Sequence, residues 1–137
     1  MPEPLPPLSE PFRIDLSIPG QAQFLGVVRL AVAGLCHRLG LDLGEAGDLK
    51  MAVTEACNAC LQVPDRPEAL ALAFEVDPEQ LVLSVRPSPP DDSPFHRGGA
   101  SELALILLEA LVDEVEVLEN PRGLRMTHYL VPRDLPD

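Results

Sequence analysis

The chain has 137 residues, of which 46% are hydrophobic, and carries a formal net charge of −12, from 10 Lys and Arg against 22 Asp and Glu. This length suits one domain with a substantial core, and the apolar content argues against a disordered chain. Because contacts with phosphate groups require Lys and Arg, the charge argues against direct binding of nucleic acid or of an anionic membrane. It is compatible with docking on a basic protein surface, and also with a role in solubility alone.

The protein is expected to be cytoplasmic. No stretch approaches the roughly 20 apolar residues that a membrane span needs, and the N-terminus lacks the basic start and apolar run of a secretion signal. The cysteines, Cys36, Cys57 and Cys60, are odd in number and lie among apolar residues. That setting is typical of reduced, buried thiols rather than of a disulfide framework.

The first half of the chain predicts an arm, a strand and two helices. Residues 1–11 contain five prolines and are expected to form an extended or disordered arm. Strict alternation of apolar and polar residues over 12–18 predicts a half-buried strand, which Pro19 ends. Helical spacing of apolar residues predicts one helix over 21–39 and a second over about 45–62.

The second half predicts two hairpins separated by a loop and a third helix. The strands are expected at 69–76, 80–85, 113–118 and 124–131, the proline-rich loop at 87–94, the third helix at about 100–112, and a loose tail at 132–137. This order of elements predicts a single α+β domain over 12–131. Its architecture would be a two-layer sandwich, with a mixed, mainly antiparallel sheet and helices on one face.

The second predicted helix is the most informative stretch of the sequence. Glu55 is the one carboxylate in residues 49–62. Glu55, Asn58 and Gln62 are spaced i, i+3 and i+7, so they form one polar stripe opposite an apolar face. A polar stripe on a largely apolar helix faces solvent, a partner or a pocket.

The order of elements resembles the GHKL ATPase (Bergerat) fold. Three segments add to this resemblance: residues 52–56 (AVTEA), 111–117 (LVDEVEV) and 123–126 (GLRM). Within that fold the chain is similar to the small anti-sigma regulatory factors of the RsbW type, which are serine-protein kinases. The resemblance covers roughly residues 12–131. It implies three functional elements: a helix motif E-A-x-x-N-A, a loop D-x-G-x-G that holds adenine, and a glycine-rich turn that cradles phosphates.

The helix motif is altered at its metal ligand. The resemblance implies that Glu55 acts as general base or positions the attacking group, and that an Asn four residues later ligates Mg²⁺. Here the fourth position is Ala59, and Asn58 stands one residue early, about 100° away around the helix. Asn58 could reach a metal only if the helix were rotated or locally deformed.

The adenine loop is altered at its Asp position and at its first glycine position. Pro87 stands at the position of the Asp that accepts a hydrogen bond from adenine, and Pro89 stands at the first glycine. Proline has a fixed φ and no N–H, and it carries no acceptor side chain. Asp91 lies further on and could substitute, although nothing in the spacing favours it.

The phosphate turn keeps only part of its glycine pattern. Gly98 and Gly99 remain as flexible residues before the third helix. Glu102 follows near the start of that helix, where a triphosphate would bind, and its carboxylate would repel the phosphates. The three altered elements together predict a degenerate scaffold whose ATP binding is weak or lost.

The predicted function is therefore that of an anti-sigma-like regulator that uses no cofactor and acts by binding proteins. Its partner would be a sigma factor, a STAS-type anti-anti-sigma protein or another regulatory domain. The alternative is an active ATP-dependent serine-protein kinase, with Glu55 as base, Asn58 or Asp91 on Mg²⁺, and Gly98 and Gly99 at the nucleotide. A third hypothesis is a homodimer, or a subunit of a larger complex, that uses the exposed face of the sheet as its interface.

Two remaining features favour ordinary structural roles. Cys57 and Cys60 match C-x-x-C, but they stand in mid-helix rather than at the helix N-terminus that a redox pair requires. They are expected to be packed thiols. His128 lies in an alternating strand, where a place on the surface or on a face of the sheet is the default expectation.

Overall fold

The structure is a computed structural model that describes residues 10–62, 66–90, 100–119 and 121–130. Most of the predicted arm and all of the predicted tail 132–137 lie outside these residues. The described chain contains five strands and three α-helices, in the predicted order. Their bounds are β1 Phe12–Pro19, α1 Leu25–Leu39, α2 Leu43–Leu61, β2 Ala69–Val76, β3 Gln80–Ser88, α3 Ala100–Leu111, β4 Glu114–Glu119 and β5 Arg122–Tyr129, with a short 3₁₀ turn at Ala22–Phe24.

The five strands form one sheet in the order β1-β2-β3-β5-β4. All four neighbouring pairs are antiparallel, so no parallel pair of a mixed sheet occurs among the described strands. In the helical layer α2 is central and contacts both α1 and α3. Cys60 of α2 lies over β3, with its Sγ atom 4.0 Å from the Val85 carbonyl oxygen. The predicted two-layer α+β architecture is confirmed.

The core lies between the helices and the face of the sheet that they cover. Along β3 the side chains of Leu81, Leu83 and Val85 are buried while the residues between them are half-exposed, which is the period of two expected for a sheet with one covered face. Phe74 on β2 is the largest of the side chains that are almost fully buried, at 1% exposure. Burial of this apolar face is the main favourable contribution to folding.

The ends of the central helices follow local sequence signals. Gly40 adopts the left-handed conformation (φ 71°) after α1, and its N–H donates to the last turn of that helix. The carboxylate of Asp42 accepts a hydrogen bond from the Glu45 N–H at 2.7 Å and caps α2, which begins at Leu43, two residues before its predicted start. These two signals set where α2 enters the helical layer.

Strand β3 extends beyond its predicted end. The sequence predicts that this strand ends at residue 85 and that a loop begins at Pro87, because proline usually interrupts a sheet. In the structure Pro87 is buried within β3 and is paired with Leu70 of β2. Strand β5 pairs with β3 only as far as Val85, so Pro87 stands where β3 has a single neighbour and a missing N–H is tolerated.

The segment Ala22–Leu39 has the length and composition of a membrane span, with a mean hydropathy of 1.2 over 18 residues. The expectation that no stretch of the chain approaches a membrane span is therefore wrong for these residues. In the structure this segment comprises the 3₁₀ turn and α1, and α1 packs against α2. Its core side is formed by Leu25, Val28, Val32, Leu35 and Cys36, so its apolar character is accounted for in part by the core.

Candidate functional site

The candidate site is built on the C-terminal half of α2. This helix is continuous from Leu43 to Leu61, and its core side is formed by small and medium residues. Glu55 and Asn58 are half-buried, and Gln62 follows the helix as an exposed C-cap residue. The polar stripe that the sequence predicts therefore lies on the side of the helix away from the core.

The two flanks of α2 have different neighbours. The Lys50 ammonium is close enough to the Cys36 thiol of α1 to act against the rise that burial causes in its pKa, so the Lys50 flank faces α1. Glu55 lies about 140° away from Lys50 around the helix axis. Because α1 and α3 pack on α2 while α2 is central, the Glu55 flank faces α3.

Helix α3 runs antiparallel to α2. The Asp113 N–H, just after α3, donates to the Thr127 carbonyl at 3.0 Å, and the neighbouring His128 contacts Glu45 in the first turn of α2. The end of α3 thus lies near the start of α2, and the start of α3 lies toward Glu55. The end of β3 lies next to the C-terminal end of α2, where Cys60 approaches the Val85 carbonyl. The described end of β3 and the described start of α3 therefore both lie toward the C-terminal half of α2.

Three of the predicted site residues cannot be placed in this arrangement. Asp91, Gly98 and Gly99 lie in the segment 91–99, outside the described residues. Their proposed contacts with a nucleotide stay predictions. Glu55 and Asn58 are the members of the predicted site that the structure positions.

The geometry of α2 distinguishes Ala59 from Asn58. Relative to Glu55, Ala59 lies about 40° around the helix on the core side, and Asn58 lies about 60° around it on the outer side. Ala59 is only 6% exposed. The Gln62 N–H donates to the Asn58 carbonyl at 3.1 Å, as in a regular helix, so no local deformation turns the Asn58 amide inward. The inner position beside Glu55 therefore presents a methyl group.

The described residues contain no cluster of three or more His, Cys, Asp or Glu side chains that could hold a metal ion. At the strand end next to α2, Pro87 is buried and presents an apolar ring. Its cross-strand partner Leu70 is fully buried. At this strand end the two paired residues, Pro87 and Leu70, are therefore both apolar and buried.

The C-x-x-C cysteines are packed thiols. Cys57 and Cys60 are free and buried. Burial raises the pKa of the Cys60 thiol to about 12, and the nearby Arg122 guanidinium lowers it only in part. Burial raises the pKa of the Cys57 thiol even further, and the neighbouring Cys60 adds to the rise. A thiol with a raised pKa is a poor nucleophile at neutral pH, so the pair does not suit redox chemistry.

The thiols should consequently be protected in the native protein. At pH 8, below the raised pKa values of Cys36, Cys57 and Cys60, we expect native thiols to react with an aromatic disulfide reagent about 100-fold more slowly than in concentrated urea. Absorbance of the released thiolate measures both rates. The urea sample is the control and should release three equivalents. A native reaction as fast as the denatured one would contradict the packing of these residues.

His128 has a role that the sequence analysis did not identify. Its Nε2 atom lies 3.1 Å from a Glu45 carboxylate oxygen and its Nδ1 atom lies 3.5 Å from an Asp113 carboxylate oxygen. The ring thus joins the start of α2 to the start of β4. Glu45 is 83 residues away in sequence, and no local pattern signals a contact at that separation.

Arg122 is a second residue that sequence reasoning missed. It is 5% exposed, and its charge acts on the Cys60 thiol near the C-terminal end of α2. Arg86 on β3 donates from Nη1 to the carbonyl of Pro121, the residue that precedes Arg122 in the chain. Arg86 and Arg122 therefore make contacts in the part of the sheet beneath the candidate site. An Arg at the start of a strand gives no sequence signal for burial, so the sequence does not predict that Arg122 is buried.

The open face of the sheet is polar. A shallow depression of about 630 Å³ lies there, and its walls include Arg13, Glu75, Gln80, Arg125 and Thr127. Its cations are already paired across the strands, with Arg13 at 3.4 Å from Glu75 and Arg125 at 3.1 Å from Glu116. The depression is on the side of the sheet opposite α2, so it is separate from the candidate site.

Comparison with known proteins supports the relation that the motifs indicate. Residues 18–128 match the model of the histidine kinase-like ATPase domain family. The serine-protein kinase RsbW of Bacillus subtilis is 33% identical over 141 residues, covering 85% of this chain and 85% of the relative. The serine-protein kinase RsbW of Halalkalibacterium halodurans is 30% identical over 138 residues, covering 88% of this chain and 85% of the relative.

A solved structure has the same fold. The RsbU and RsbW domains of Rv1364c from Mycobacterium tuberculosis match with a TM-score of 0.62 at 17% sequence identity. The match covers 85% of this chain and 31% of that longer chain. The family match extends over most of the described fold, including α2 and the strands around it. The chain therefore belongs to the histidine kinase-like ATPase domain family and is a relative of the serine-protein kinases named RsbW.

Proposed function

We propose that this protein is an anti-sigma-like regulator that acts by binding other proteins and has lost most or all of its nucleotide binding. The kinship with serine-protein kinases named RsbW supports the regulatory class. The observation that carries the loss of nucleotide chemistry is the Ala59 methyl group, buried beside Glu55 on the inner side of α2. A hard cation such as Mg²⁺ requires oxygen ligands, and this position has none.

Loss of this ligand has a large chemical consequence. Phosphoryl transfer depends on a metal that neutralises the charge developing on the transferred group. Asn58 does not compensate, because its side chain projects from the outer side of a regular helix. Glu55 would then be a carboxylate retained in a partly open position, without the metal and phosphate that would give it a catalytic role.

Two further positions support the proposal. Pro87 is buried where a hydrogen-bond acceptor for adenine would be needed. Glu102 lies in the first turn of α3, at the helix end that otherwise attracts phosphate groups. Its carboxylate would repel a triphosphate. Both substitutions act against nucleotide binding independently of the metal position.

The proposed partner is a sigma factor, a STAS-type anti-anti-sigma protein or another regulatory domain, in the manner of partner switching on a pseudo-ATPase scaffold. The formal charge of −12 supports a partner with a basic surface and disfavours nucleic acid or an anionic membrane. Such a regulator would work in the cytoplasm. Titration of the protein against purified candidates of each class tests this proposal, and the absence of any complex with all of them would count against it.

An active serine-protein kinase is the second candidate. Its specific support is Glu55, which keeps the carboxylate of the family motif in a half-buried position on the flank that faces α3. In this case Asn58 or Asp91 would hold Mg²⁺, and Gly98 and Gly99 would approach the phosphates. A single measurement of nucleotide binding separates the two candidates.

Addition of Mg-ATP should leave the melting temperature unchanged to within about 1 °C. A site with a dissociation constant of about 10 µM would stabilise the native state by about 2.7 kcal/mol at about 1 mM nucleotide. For a domain of this size that stabilisation corresponds to a rise of about 10 °C. Differential scanning fluorimetry with Mg-ATP, with ATP plus chelator, and with Mg²⁺ alone measures the shift.

The variant Glu55→Gln is the matched control, because it removes the motif carboxylate while keeping the shape of the side chain. The proposal predicts the same absence of a shift in this variant. A rise of 5 °C or more in the native protein, reduced in Glu55→Gln, would instead favour the active kinase.

A further inference from the structure

Helix α3 exposes apolar side chains that the fold does not use. Leu103 is 68% exposed and Ile106 is 64% exposed, whereas Leu108 on the core side of the same helix is fully buried. Leu103 and Ile106 are spaced i, i+3, so they lie on one face of the helix. Single exposed apolar residues are ordinary, but neighbouring ones on one face are a feature of interaction surfaces.

Helix α2 continues this surface. Met51 is 51% exposed and lies about 40° from Glu55 around the helix, on the outer side that also carries Asn58. The two helices are neighbours and run antiparallel, so the outer sides of both face the same direction. We use the name α2–α3 surface for Met51, Leu103 and Ile106 together with the acidic residues around them.

The charges of the α2–α3 surface are all of one sign. Glu102 and Glu109 are exposed on α3, and Asp48 and Glu55 lie on the α3-facing flank of α2. Helix α3 contains no Lys or Arg. The one cation of α2, Lys50, lies on the opposite flank next to Cys36. Four carboxylates thus border the apolar residues, and neither helix places a described cation on this side.

We propose that the α2–α3 surface docks a basic amphipathic helix of a partner protein. Such a helix would place its apolar face against Leu103, Ile106 and Met51, in the manner of a helix bound in a groove. Its Lys and Arg side chains would lie against the surrounding carboxylates, which fixes orientation and accelerates association. This proposal rests on the proposed function, in which the protein acts by binding other proteins.

Charge complementarity selects this occupant over two others. A second copy of the chain, docked through the same surface, would bring the same four carboxylates against each other, and like charges oppose such a contact. An anionic membrane is repelled for the same reason. A basic helix is the partner for which both the apolar residues and the carboxylates contribute favourably.

The test uses the full chain and a fluorescent model peptide. The peptide has about 15 residues, with Leu at amphipathic helical spacing and Lys elsewhere. A second peptide keeps every Leu and replaces Lys by Glu. Fluorescence anisotropy should give binding of the Lys peptide that is at least about tenfold tighter than that of the Glu peptide. Equal binding of the two peptides would overturn the charge argument.

Substitutions without a change of charge locate the site. The double variant Leu103→Ser with Ile106→Ser should weaken binding of the Lys peptide by about tenfold or more. The matched control is Leu30→Ser on α1, since Leu30 is 74% exposed and lies away from the α2–α3 surface. It should change the affinity by less than about twofold. Unchanged binding in the double variant, or an equal loss in Leu30→Ser, would overturn the proposed location.

A second variant keeps the apolar residues and removes two charges, Glu102→Gln with Glu109→Gln. This variant should weaken binding of the Lys peptide by about threefold or more and reduce the salt dependence of that binding. Circular dichroism melts of each variant confirm that it is folded. If the double serine variant does not fold, this second variant decides the proposal, and unchanged affinity and salt dependence would overturn it.

The other occupants are outcomes of the same series. A native dimer in sedimentation that dissociates in the double serine variant would identify a second copy as the occupant and overturn the proposal. If the native protein sediments with anionic vesicles and the double serine variant does not, a membrane would be the occupant and the proposal would be overturned. If the peptide results fail while a regulatory protein still binds, the proposed function stands and only this surface is wrong.

Discussion

Replacement of Phe74 by alanine is expected to lower the free energy of unfolding by about 4 kcal/mol. Phe74 is 1% exposed in the middle of β2, the strand that lies between β1 and β3, and it is the largest of the almost fully buried side chains. Removal of the ring loses its burial and leaves a cavity in a core that has little freedom to collapse. Urea denaturation followed by circular dichroism measures the change, with an unaltered slope as the sign that two-state unfolding is preserved.

Two variants control for this effect. Phe74→Leu keeps most of the apolar volume and should reduce stability by about 1.5 kcal/mol. Ile14→Ala alters the residue directly opposite Phe74 on β1, where the side chain is 43% exposed, and should cost about 1 kcal/mol. Because these paired residues lie on the same face of the sheet, equal destabilisation by Ile14→Ala and Phe74→Ala would mean that the helical layer covers β1 as completely as β2 at this position.

The strands and helices were predictable where their patterns are local. Strand β2 has its predicted bounds, and α1 ends at the Gly40 signal. The end of β3 was wrong because proline was taken as a terminator, whereas only the neighbouring strands decide whether its missing N–H matters. The start of β5 was also wrong by two residues, since Arg122 and Gly123 carry no alternation signal. Sheet order and antiparallel pairing of separate hairpins depend on contacts that no local pattern contains.

The sequence predicts the candidate site only where local helical geometry determines it. Helical periodicity is sufficient to separate the outer Asn58 from the inner Ala59, because both belong to one regular helix. It is not sufficient to find His128 between Glu45 and Asp113, or Arg122 beside Cys60, because these contacts join distant parts of the chain. Burial of Pro87 likewise depends on its strand neighbour Leu70.

The site and the family membership are consistent with one another. The family match extends over residues 18–128, whereas the departures from the motifs that the resemblance implies stand at particular positions around α2, such as Ala59 and Pro87. A shared fold does not fix function, because chemistry depends on particular side chains. The fold of this protein is that of its family, whereas Ala59 stands where the resemblance implies an oxygen ligand, and the proposed protein-binding role on a retained scaffold would account for both.

Substitution of Gly20 by alanine is the second change with a large expected effect. A Cβ atom on Gly20 would lie 2.0 Å from the Pro67 carbonyl oxygen, and the Gly20 N–H donates to the Glu68 carbonyl at 2.9 Å. Because the obstructing atom belongs to the backbone, the end of β1 must separate from the start of β2. We expect a loss of about 3 kcal/mol in the free energy of unfolding, measured by urea denaturation.

Gly47→Ala is the matched control, since it adds the same methyl group within α2. No atom lies within 4 Å of a Cβ built on Gly47, and alanine is the better helix former. The free energy of unfolding of this variant should rise by about 0.7 kcal/mol, partly because alanine restricts the unfolded chain. The same chemical change should thus have opposite signs at the two positions. A stable Gly20→Ala protein would mean that the chain after β1 approaches the chain before β2 less closely than the structure has it.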